Sequence, residues 1–304
     1  MTRRLVSAAL AWSIVAGTAC GPPQDDDPAK QEAAVLSARA ARLANALAHP
    51  DSGAERGKAV ARWLLPRDLK EISGLALTPD GRLLAHGDEW GTVWEIDYRR
   101  GVVVKRFTLG NEPVKGDFES IAIVDDRIFL FTSKGILYEF KEGADGAHVD
   151  YTTLDTGLRD VCEIEGMAWE ASSRSLLFAC KDAKEKSLKD SLVIFRWKLD
   201  TEKARGLSLP RLTVPIAQVI GANGWDHVKP SDITVDPKSG NYVLVASKDK
   251  ALIEITPAGK VVASGPLPGQ HDQAEGVAIT PDGLLIVSDE GPIGPAVITM
   301  YRRP

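Results

Sequence analysis

The sequence predicts an all-β protein built from repeated antiparallel units, and two observations support this. First, five segments resemble one another; they occupy residues 71–77, 117–123, 163–169, 229–235 and 273–279. Their fourth residues lie 46, 46, 66 and 44 positions apart. Second, a turn follows these segments, most clearly Thr-Pro-Asp-Gly at 78–81 and 280–283. Because apolar and small residues alternate in each segment, each reads as an inner strand that ends in a tight turn.

Further strands follow each turn. A second strand is predicted at 82–85, 128–132, 176–179, 242–246 and 284–287. A third is predicted at 92–96, 136–140, 192–197 and 251–255, and a weaker fourth at 102–108, 148–153 and 261–264. Four antiparallel strands per repeat of about 45 residues are typical of β-propeller blades. Since a blade buries its faces only against its neighbours, the ring must close.

The number of blades follows from the repeats. Counting them favours five blades, although the long spacing contains an insertion around 206–228 that could instead be a degenerate sixth blade. The last repeat ends near Met300, short of an outer strand. The unassigned strand-like stretch 59–65 is predicted to supply that strand and to close the ring.

Composition excludes several classes of protein. The 304 residues are 44% hydrophobic and 26% charged, as expected for a globular protein. A net charge of -5 argues against a nucleic-acid partner. The sequence has no Gly-x-Ser-x-Gly elbow, no His-Glu-x-x-His and no P-loop, so we do not expect a covalent nucleophile.

The N-terminus has the order of a bacterial export signal. Arg3 and Arg4 precede an apolar run at 5–16, and small residues at 17–19 lead to Cys20. This resembles a lipoprotein lipobox, although Gly17 stands where leucine is usual. Residues 1–19 are therefore predicted to be a signal peptide and Cys20 a lipidated N-terminus; ordinary cleavage with an incidental cysteine is the alternative. Gly21, rather than aspartate, resembles the default signal for the outer membrane, so we expect a lipid-anchored envelope protein facing the periplasm or surface.

The remaining chain divides into a tether and one domain. Residues 20–58 are predicted to be the lipidated cysteine, a flexible tether and a short helix from Lys30 to Ala48, with Val35, Leu36, Leu43 and Leu47 on one face. Residues 59–304 form the propeller. In an oxidising compartment Cys162 and Cys180 could form a disulfide; two buried thiols are the alternative.

The repeats resemble the SdiA-regulated family of bacterial propellers over about residues 67–300. The clearest stretches are Lys-Pro-Ser-Asp-Ile-Thr-Val at 229–235 and Gln-Ala-Glu-Gly-Val-Ala-Ile-Thr-Pro-Asp-Gly at 273–283. The fourth repeat departs from the pattern, because it has Ser231-Asp232 where two others have Glu-Gly. The resemblance implies a propeller in the cell envelope more firmly than it implies a reaction.

Acidic residues recur at matching positions of the repeats. Because inner strands converge on one mouth of the central channel, these residues would form rings. The candidate ligands are Glu71, Asp117, Glu119, Glu163, Glu165, Asp232 and Glu275. Calcium prefers six to eight such oxygens, so a calcium ion is the candidate cofactor. The alternatives are a ligand-binding mouth without metal, and carboxylates that only bond backbone amides or Lys134, Lys181, Lys229 and Lys248.

A second candidate site lies in the insertion at 221–227. Asn223, Trp225, Asp226 and His227 would suit a lid or a ligand contact, because loops carry function on rigid scaffolds. An ordinary ordered loop with Trp225 packed on the rim is the alternative.

Two functions follow. The first is a membrane-anchored module that binds an unidentified protein or small-molecule ligand through the channel mouth. The second is a calcium-dependent hydrolase of an esterase, lactonase or phosphoesterase type, in which the metal polarises a substrate oxygen. The segment from Glu165 to Trp169 resembles the first motif of calcium-bearing gluconolactonase-type propellers, but a clear set of asparagine ligands is missing.

Overall fold

The computed structural model describes residues 27–49 and 57–303. The predicted signal peptide and Cys20 lie outside the described residues. The chain begins with helix α1 (Pro28–Ala48) and strand β1 (Ala59–Leu64), and then forms five antiparallel sheets. In the part of the chain that is described, no helix is both long enough and apolar enough to cross a membrane.

Each sheet is one blade of a propeller. Blade 1 contains β2 (Ile72–Leu77), β3 (Leu83–Gly87), β4 (Thr92–Asp97) and β5 (Val102–Leu109). Blade 2 contains β6 (Phe118–Val124), β7 (Arg127–Thr132), β8 (Ile136–Lys141) and β10 (Tyr151–Asp155). Blade 3 contains β11 (Cys162–Glu170), β12 (Ser175–Ala183), β13 (Ser191–Lys198) and β14 (Arg211–Pro215). Blade 4 contains β15 (Asp232–Val235), β16 (Tyr242–Ala246), β17 (Ala251–Ile255) and β18 (Val261–Pro266). Blade 5 contains β19 (Ala274–Ile279), β20 (Leu284–Asp289), β21 (Val297–Arg302) and β1.

The prediction of five blades is confirmed, and the sixth-blade alternative is wrong. The long third spacing holds β14, which is the outer strand of blade 3, followed by the short helix α2 (Ile216–Ile220). The predicted strand at 148–153 is split. Its first part is β9 (His148–Val149), which pairs in parallel with β5 of blade 1, and only β10 belongs to blade 2.

The ring is closed by strands from both ends of the described chain. Strand β1 pairs antiparallel with β21 and becomes the outer strand of blade 5. Five apolar clusters hold the ring together, and each lies between two neighbouring blades. Because each blade is apolar on both faces, no blade could fold without its neighbours.

Helix α1 covers the junction of blades 5 and 1. Asp27 caps its first turn by accepting a hydrogen bond from the Ala29 amide at 3.0 Å. Leu43 is buried in the core cluster of this junction, and the Arg39 guanidinium lies 5.1 Å from the Trp63 ring centroid. Of the predicted apolar face, Val35 is exposed, because the helix contacts the propeller mainly through its second half.

Blade 3 contains a disulfide. Cys162 begins β11 and Cys180 lies on the neighbouring strand β12, where their Cα atoms are 5.8 Å apart. Both side chains are buried within the cluster shared with blade 2. The disulfide closes a loop that contains the β11–β12 turn. It therefore lowers the conformational entropy of the unfolded chain as well as constraining the folded one.

The inner strands β2, β6, β11, β15 and β19 surround the axis in that order and contact one another directly. At Gly166 of β11 a Cβ atom would lie 2.8 Å from the Ile233 amide nitrogen of blade 4. At Gly276 a Cβ atom would lie 3.2 Å from the Leu75 amide nitrogen of blade 1. Glycine at the fourth repeat position therefore lets neighbouring inner strands approach.

The substitution Gly166→Ala tests this close approach. We expect it to lower the free energy of unfolding by about 1–3 kcal/mol, because the added methyl group meets backbone rather than a flexible side chain. Urea denaturation monitored by fluorescence measures the change. Gly265→Ala is the matched control, since nothing lies within 4 Å of that position. Equal stability of the two variants would contradict the packing described here.

Candidate functional site

A repeated irregularity places the third repeat residue at the channel mouth. In blades 1, 2, 3 and 5 the pairing of the inner strand shifts register around this residue, so it lies at a β-bulge. The bulged residues are Ser73, Glu119, Glu165 and Glu275. A bulge adds one unpaired residue and turns its side chain away from the regular alternation. The charge of Glu165 acts on Glu119, and the charge of Glu275 acts on Glu165, so these three bulged residues lie near one another.

Blade 4 is the exception. Strand β15 begins only at Asp232, after Ser231, and no register shift occurs there. The Ser231 hydroxyl instead donates to the Ala274 carbonyl oxygen of blade 5 at 2.5 Å. Ser231 thus joins blades 4 and 5 and does not add an oxygen ligand to the channel mouth.

Three glutamates, Glu119, Glu165 and Glu275, form what we call the acidic mouth. Burial, followed by the charges of Glu165 and Asp117, raises the pKa of Glu119 to about 9. Burial raises the pKa of Glu165 to about 7, although Lys181 acts in the opposite direction. Burial also raises the pKa of Glu275 to about 7, against the effect of Lys181. The three carboxyl groups thus share one partly desolvated space in which full ionisation is unfavourable.

Lys181 contributes the cation of the acidic mouth. Its side chain extends from β12, donates a hydrogen bond to Glu165, and lies 3.6 Å from Glu163. One ammonium group therefore faces several carboxyl groups. One alternative from the sequence was that neighbouring lysine side chains pair with the repeated carboxylates. Lys181 does so with Glu165 and Glu163. Lys229 instead pairs with Asp182 at 2.6 Å.

The first repeat position lies further out. Glu71 pairs with Lys70 at 2.8 Å, and Asp117 is exposed. Sequence reasoning missed two further acids here, Asp88 and Glu290. Burial and the nearby charge of Glu71 raise the pKa of Asp88 to about 6, and the same two causes raise the pKa of Glu290. Both residues follow the second strand of a blade, and this shared position was the available signal.

Asp232 lies beneath the acidic mouth rather than in it. Its carboxylate accepts hydrogen bonds from the amides of Ile233 at 2.8 Å and Val277 at 2.7 Å, and it is also bonded to the Leu75 amide. Burial raises its pKa well above the usual value, and these amide donors act in the opposite direction. The side chain thus connects blade 4 to blades 5 and 1 across the axis.

The second predicted site does not form one constellation. The Asn223 amide donates to the carbonyl oxygens of Ile220 and Ser264, at 2.9 and 3.2 Å. His227 contacts Asp249 at 2.8 Å. Trp225 is half-buried against the core cluster of blades 3 and 4, whereas Asp226 is exposed. The structure directs these four side chains to different neighbours.

A buried hydrogen-bond network fixes the segment that leads into β19. His271 Nδ1 contacts Asp289 at 2.6 Å, and its Nε2 contacts the Tyr301 hydroxyl at 2.8 Å. The other Asp289 oxygen accepts from the Gln273 amide at 3.3 Å. Because Gln273 is two residues before Glu275, this network supports one wall of the acidic mouth.

No group of three or more histidine, cysteine, aspartate or glutamate side chains within residues 27–49 and 57–303 has an arrangement suited to a metal ion. Calcium at this mouth therefore stays a prediction. What the geometry supplies is a set of carboxyl oxygens around the axis, one intrinsic ammonium group, and a desolvated environment that strengthens electrostatic interactions.

Residues 204–299 match the SdiA-regulated family, and this segment spans β14, blade 4 and most of blade 5. No curated protein matches the chain. Among solved structures, the glutaminyl cyclase of Myxococcus xanthus is similar at 14% identity and a TM-score of 0.53, with 80% of this chain and 95% of that chain covered. The PQQ-bound aldose sugar dehydrogenase of Streptomyces coelicolor is similar at 14% identity and a TM-score of 0.54, with coverages of 80% and 97%. At these identities the likeness shows the fold alone.

Replacing Glu119 with glutamine tests the electrostatics of the mouth. A carboxyl group whose folded pKa exceeds its unfolded pKa stabilises the protein most at low pH, and this stability is lost as the pH rises from about 4.5 to about 9. At pH 8 we therefore expect Glu119→Gln to be more stable than the parent by on the order of 2 kcal/mol. Urea denaturation from pH 5 to pH 9 measures this, with the exposed Glu112→Gln as control. Parallel pH profiles of parent and Glu119→Gln would contradict the raised pKa.

Proposed function

Because this chain is a five-bladed β-propeller with buried carboxyl groups at its channel mouth, and residues 204–299 match the SdiA-regulated family, we propose that it is a binding module for a cationic ligand. The observation that carries the proposal is the acidic mouth, which gathers Glu119, Glu165 and Glu275 from three blades. Each occupies the same bulged position, so the grouping follows from the repeat and not from a single loop.

A cation bound at the acidic mouth would offset the unfavourable burial of carboxyl groups in the unliganded protein. In the free state Glu119 holds a proton at neutral pH, because burial and neighbouring charges raise its pKa to about 9. A bound positive charge favours the ionised carboxylate and lowers its pKa. Binding is therefore coupled to release of a proton, and the affinity rises with pH between about 6 and 9.

Two kinds of cation suit carboxyl oxygens. Calcium binds oxygen ligands and would use carboxylates from several blades. An organic ammonium group would use the same oxygens as hydrogen-bond acceptors. The existing contact between Lys181 and Glu165 favours the organic cation, because an ammonium group already occupies part of this environment.

A hydrolase is the second candidate function, and one observation favours it. The pKa values of Glu165 and Glu275 are raised to about 7, which suits groups that exchange protons at neutral pH. In this reading, calcium at the mouth would polarise an ester, lactone or phosphoryl oxygen.

We further propose that the propeller is attached to the cell envelope through a lipid on Cys20, with the outer membrane as the expected location. The support is the order of basic, apolar and small residues before Cys20. Helix α1 would then be the first element after the anchor within the described residues.

Isothermal titration calorimetry tests the cation site. We expect calcium or n-butylamine to bind the parent protein, and the triple variant Glu119→Gln/Glu165→Gln/Glu275→Gln to lose at least about 100-fold in affinity, since hydrogen bonds to charged groups are the strong ones. Titrations at pH 8, where Glu119 is the glutamate of the three that is mostly protonated, in buffers of different ionisation enthalpy should show about one proton released per cation bound.

The matched control is Glu32→Gln/Glu112→Gln/Asp150→Asn, which changes the net charge equally with exposed residues. Equal affinity of parent and triple variant would refute the site. Turnover of aryl esters or lactones that requires calcium and the same three glutamates would replace the binding function by the hydrolase.

Replacing Cys20 with serine tests the anchor. A lipid-anchored protein partitions with membranes because of its acyl chains. We expect Cys20→Ser to move the protein from the membrane fraction to the soluble fraction of the producing cells. Cys162→Ser/Cys180→Ser controls for loss of any cysteine. Membrane association that persists in Cys20→Ser would show that the attachment has another cause.

A further inference from the structure

A cavity lies at the end of the channel opposite the acidic mouth. Its volume is about 270 Å³, and the inner strands of all five blades line it. The lining residues occupy positions five to seven of the repeats and the turns that follow them, whereas the glutamates of the acidic mouth occupy position three. We call this space the apolar cavity.

The apolar cavity differs from other cavities of the protein because it holds no charge. Charged residues make up 26% of the chain, yet none is among the described residues that line this cavity. By contrast, the cavity between blades 4 and 5 contains Asp236 and Arg303, and the cavity between blades 1 and 2 contains Arg82 and Glu142. Because an unpaired charge is costly to bury, an uncharged lining favours a neutral occupant.

The entrance to the apolar cavity is formed by rigid turns. Pro79, Pro237 and Pro281 lie in equivalent turns of blades 1, 4 and 5, and all three are exposed. Proline fixes its own φ angle, so these turns lose little conformational freedom when a ligand binds. Leu77 and Val235 line the cavity and are only half-buried. A bound apolar molecule would remove their exposed surface from water, which is favourable.

Two polar side chains of the lining have no partner. Thr234 and Trp169 line the cavity, and neither side chain makes a hydrogen bond within residues 27–49 and 57–303. The indole N–H of tryptophan only donates, and the threonine hydroxyl can donate as well. Small-molecule sites are typically apolar with a few polar groups that fix the orientation of the ligand. The two free donors therefore suit a ligand that carries a hydrogen-bond acceptor.

The volume and the lining indicate the size and shape of the ligand. An apolar protein cavity of about 150 Å³ holds one benzene molecule, so the apolar cavity has room for roughly ten to twelve non-hydrogen atoms. Met167 and Trp169 line it with a thioether and an aromatic ring, and both groups make favourable contacts with aromatic rings. The Arg174 guanidinium lies 6.0 Å from the Trp169 ring centroid but is not part of the lining. A planar molecule of two fused rings fits these properties.

We propose that the apolar cavity binds a neutral aromatic molecule of two fused rings that carries one hydrogen-bond acceptor. The rings contact Met167, Trp169 and the aliphatic side chains of the lining, and the acceptor receives a hydrogen bond from one of the two free donors. This inference goes beyond the proposed cation binding and does not rest on it, because the glutamates of the acidic mouth are not among the lining residues.

Isothermal titration calorimetry with three probes of similar shape tests the ligand class. The protein is titrated at pH 8 into quinoline, which is neutral and has one acceptor, into naphthalene, which has none, and into 2-naphthoate, which is an anion. The parent protein should bind quinoline about three- to tenfold more tightly than naphthalene, because one hydrogen bond is lost. It should bind quinoline at least about tenfold more tightly than 2-naphthoate, because the cavity offers no partner for a charge.

The variant Ala76→Leu tests the location. Ala76 is a half-buried residue of the lining, so a leucine there reduces the volume of the cavity. We expect the affinity for quinoline and for naphthalene to fall at least about tenfold, with an unfolding temperature close to that of the parent. The matched control is Ala263→Leu, which adds the same side chain to the cavity between blades 4 and 5 and should leave both affinities unchanged.

The double variant Thr234→Val/Trp169→Phe tests the acceptor without filling the cavity. Valine and phenylalanine keep an apolar and an aromatic side chain but remove both donors. We expect this variant to bind quinoline and naphthalene with equal affinity. Thr153→Val/Trp90→Phe makes the same exchanges at exposed positions and should keep the preference of the parent for quinoline.

The indole N–H resonance of Trp169, identified by its loss in Trp169→Phe, gives a readout that does not depend on stability. It should shift when quinoline or naphthalene binds, because an aromatic ring then lies beside the indole. Absence of binding for both neutral probes, or affinities unchanged in Ala76→Leu, would overturn the inference. Glu119→Gln/Glu165→Gln/Glu275→Gln should bind quinoline like the parent, so failure of the cation site and failure of the apolar cavity are distinguishable.

Discussion

The close contact of five inner strands around one axis is the constraint on which the rest of the structure depends. Each blade is apolar on both faces, so stability comes from five shared clusters that exist only in the closed ring. With five blades the inner strands approach so closely that a Cβ at Gly166 would meet the backbone of blade 4. This close approach requires a small residue at the fourth repeat position. Blade 4 has Asp232 there instead, and its carboxylate is bonded to amides of the neighbouring blades.

The same crowding gives the acidic mouth its chemistry. A strand that must keep a small residue against its neighbour and still present a long side chain to the channel needs a local change of register, and the bulge provides it. Glu119, Glu165 and Glu275 are then held near one another by the ring rather than by a flexible loop. Their mutual repulsion and burial are unfavourable in isolation, and the apolar clusters between the blades offset that cost.

The sequence predicted the fold well because a propeller repeats its signals. The five segments, their turns and the outer strand contributed by 59–64 are local patterns that recur in register. Residues without such repetition were less predictable. Val35 has the spacing of the helix face but is exposed, because only part of α1 contacts the ring. Asp88 and Glu290 approach Glu71 only through the folding of separate blades.

The channel is chemically polarised along its axis. Carboxyl groups occupy one end, and buried apolar side chains fill the middle. At the opposite end a cavity of about 270 Å³ is lined by apolar residues of all five blades, including Leu77, Ile123 and Trp169. A charged ligand that passed from one end to the other would lose its partners in the apolar middle, which is far costlier than staying at the mouth. Under the proposed cation binding, such a ligand would therefore be held at one face of the ring and would not pass through it.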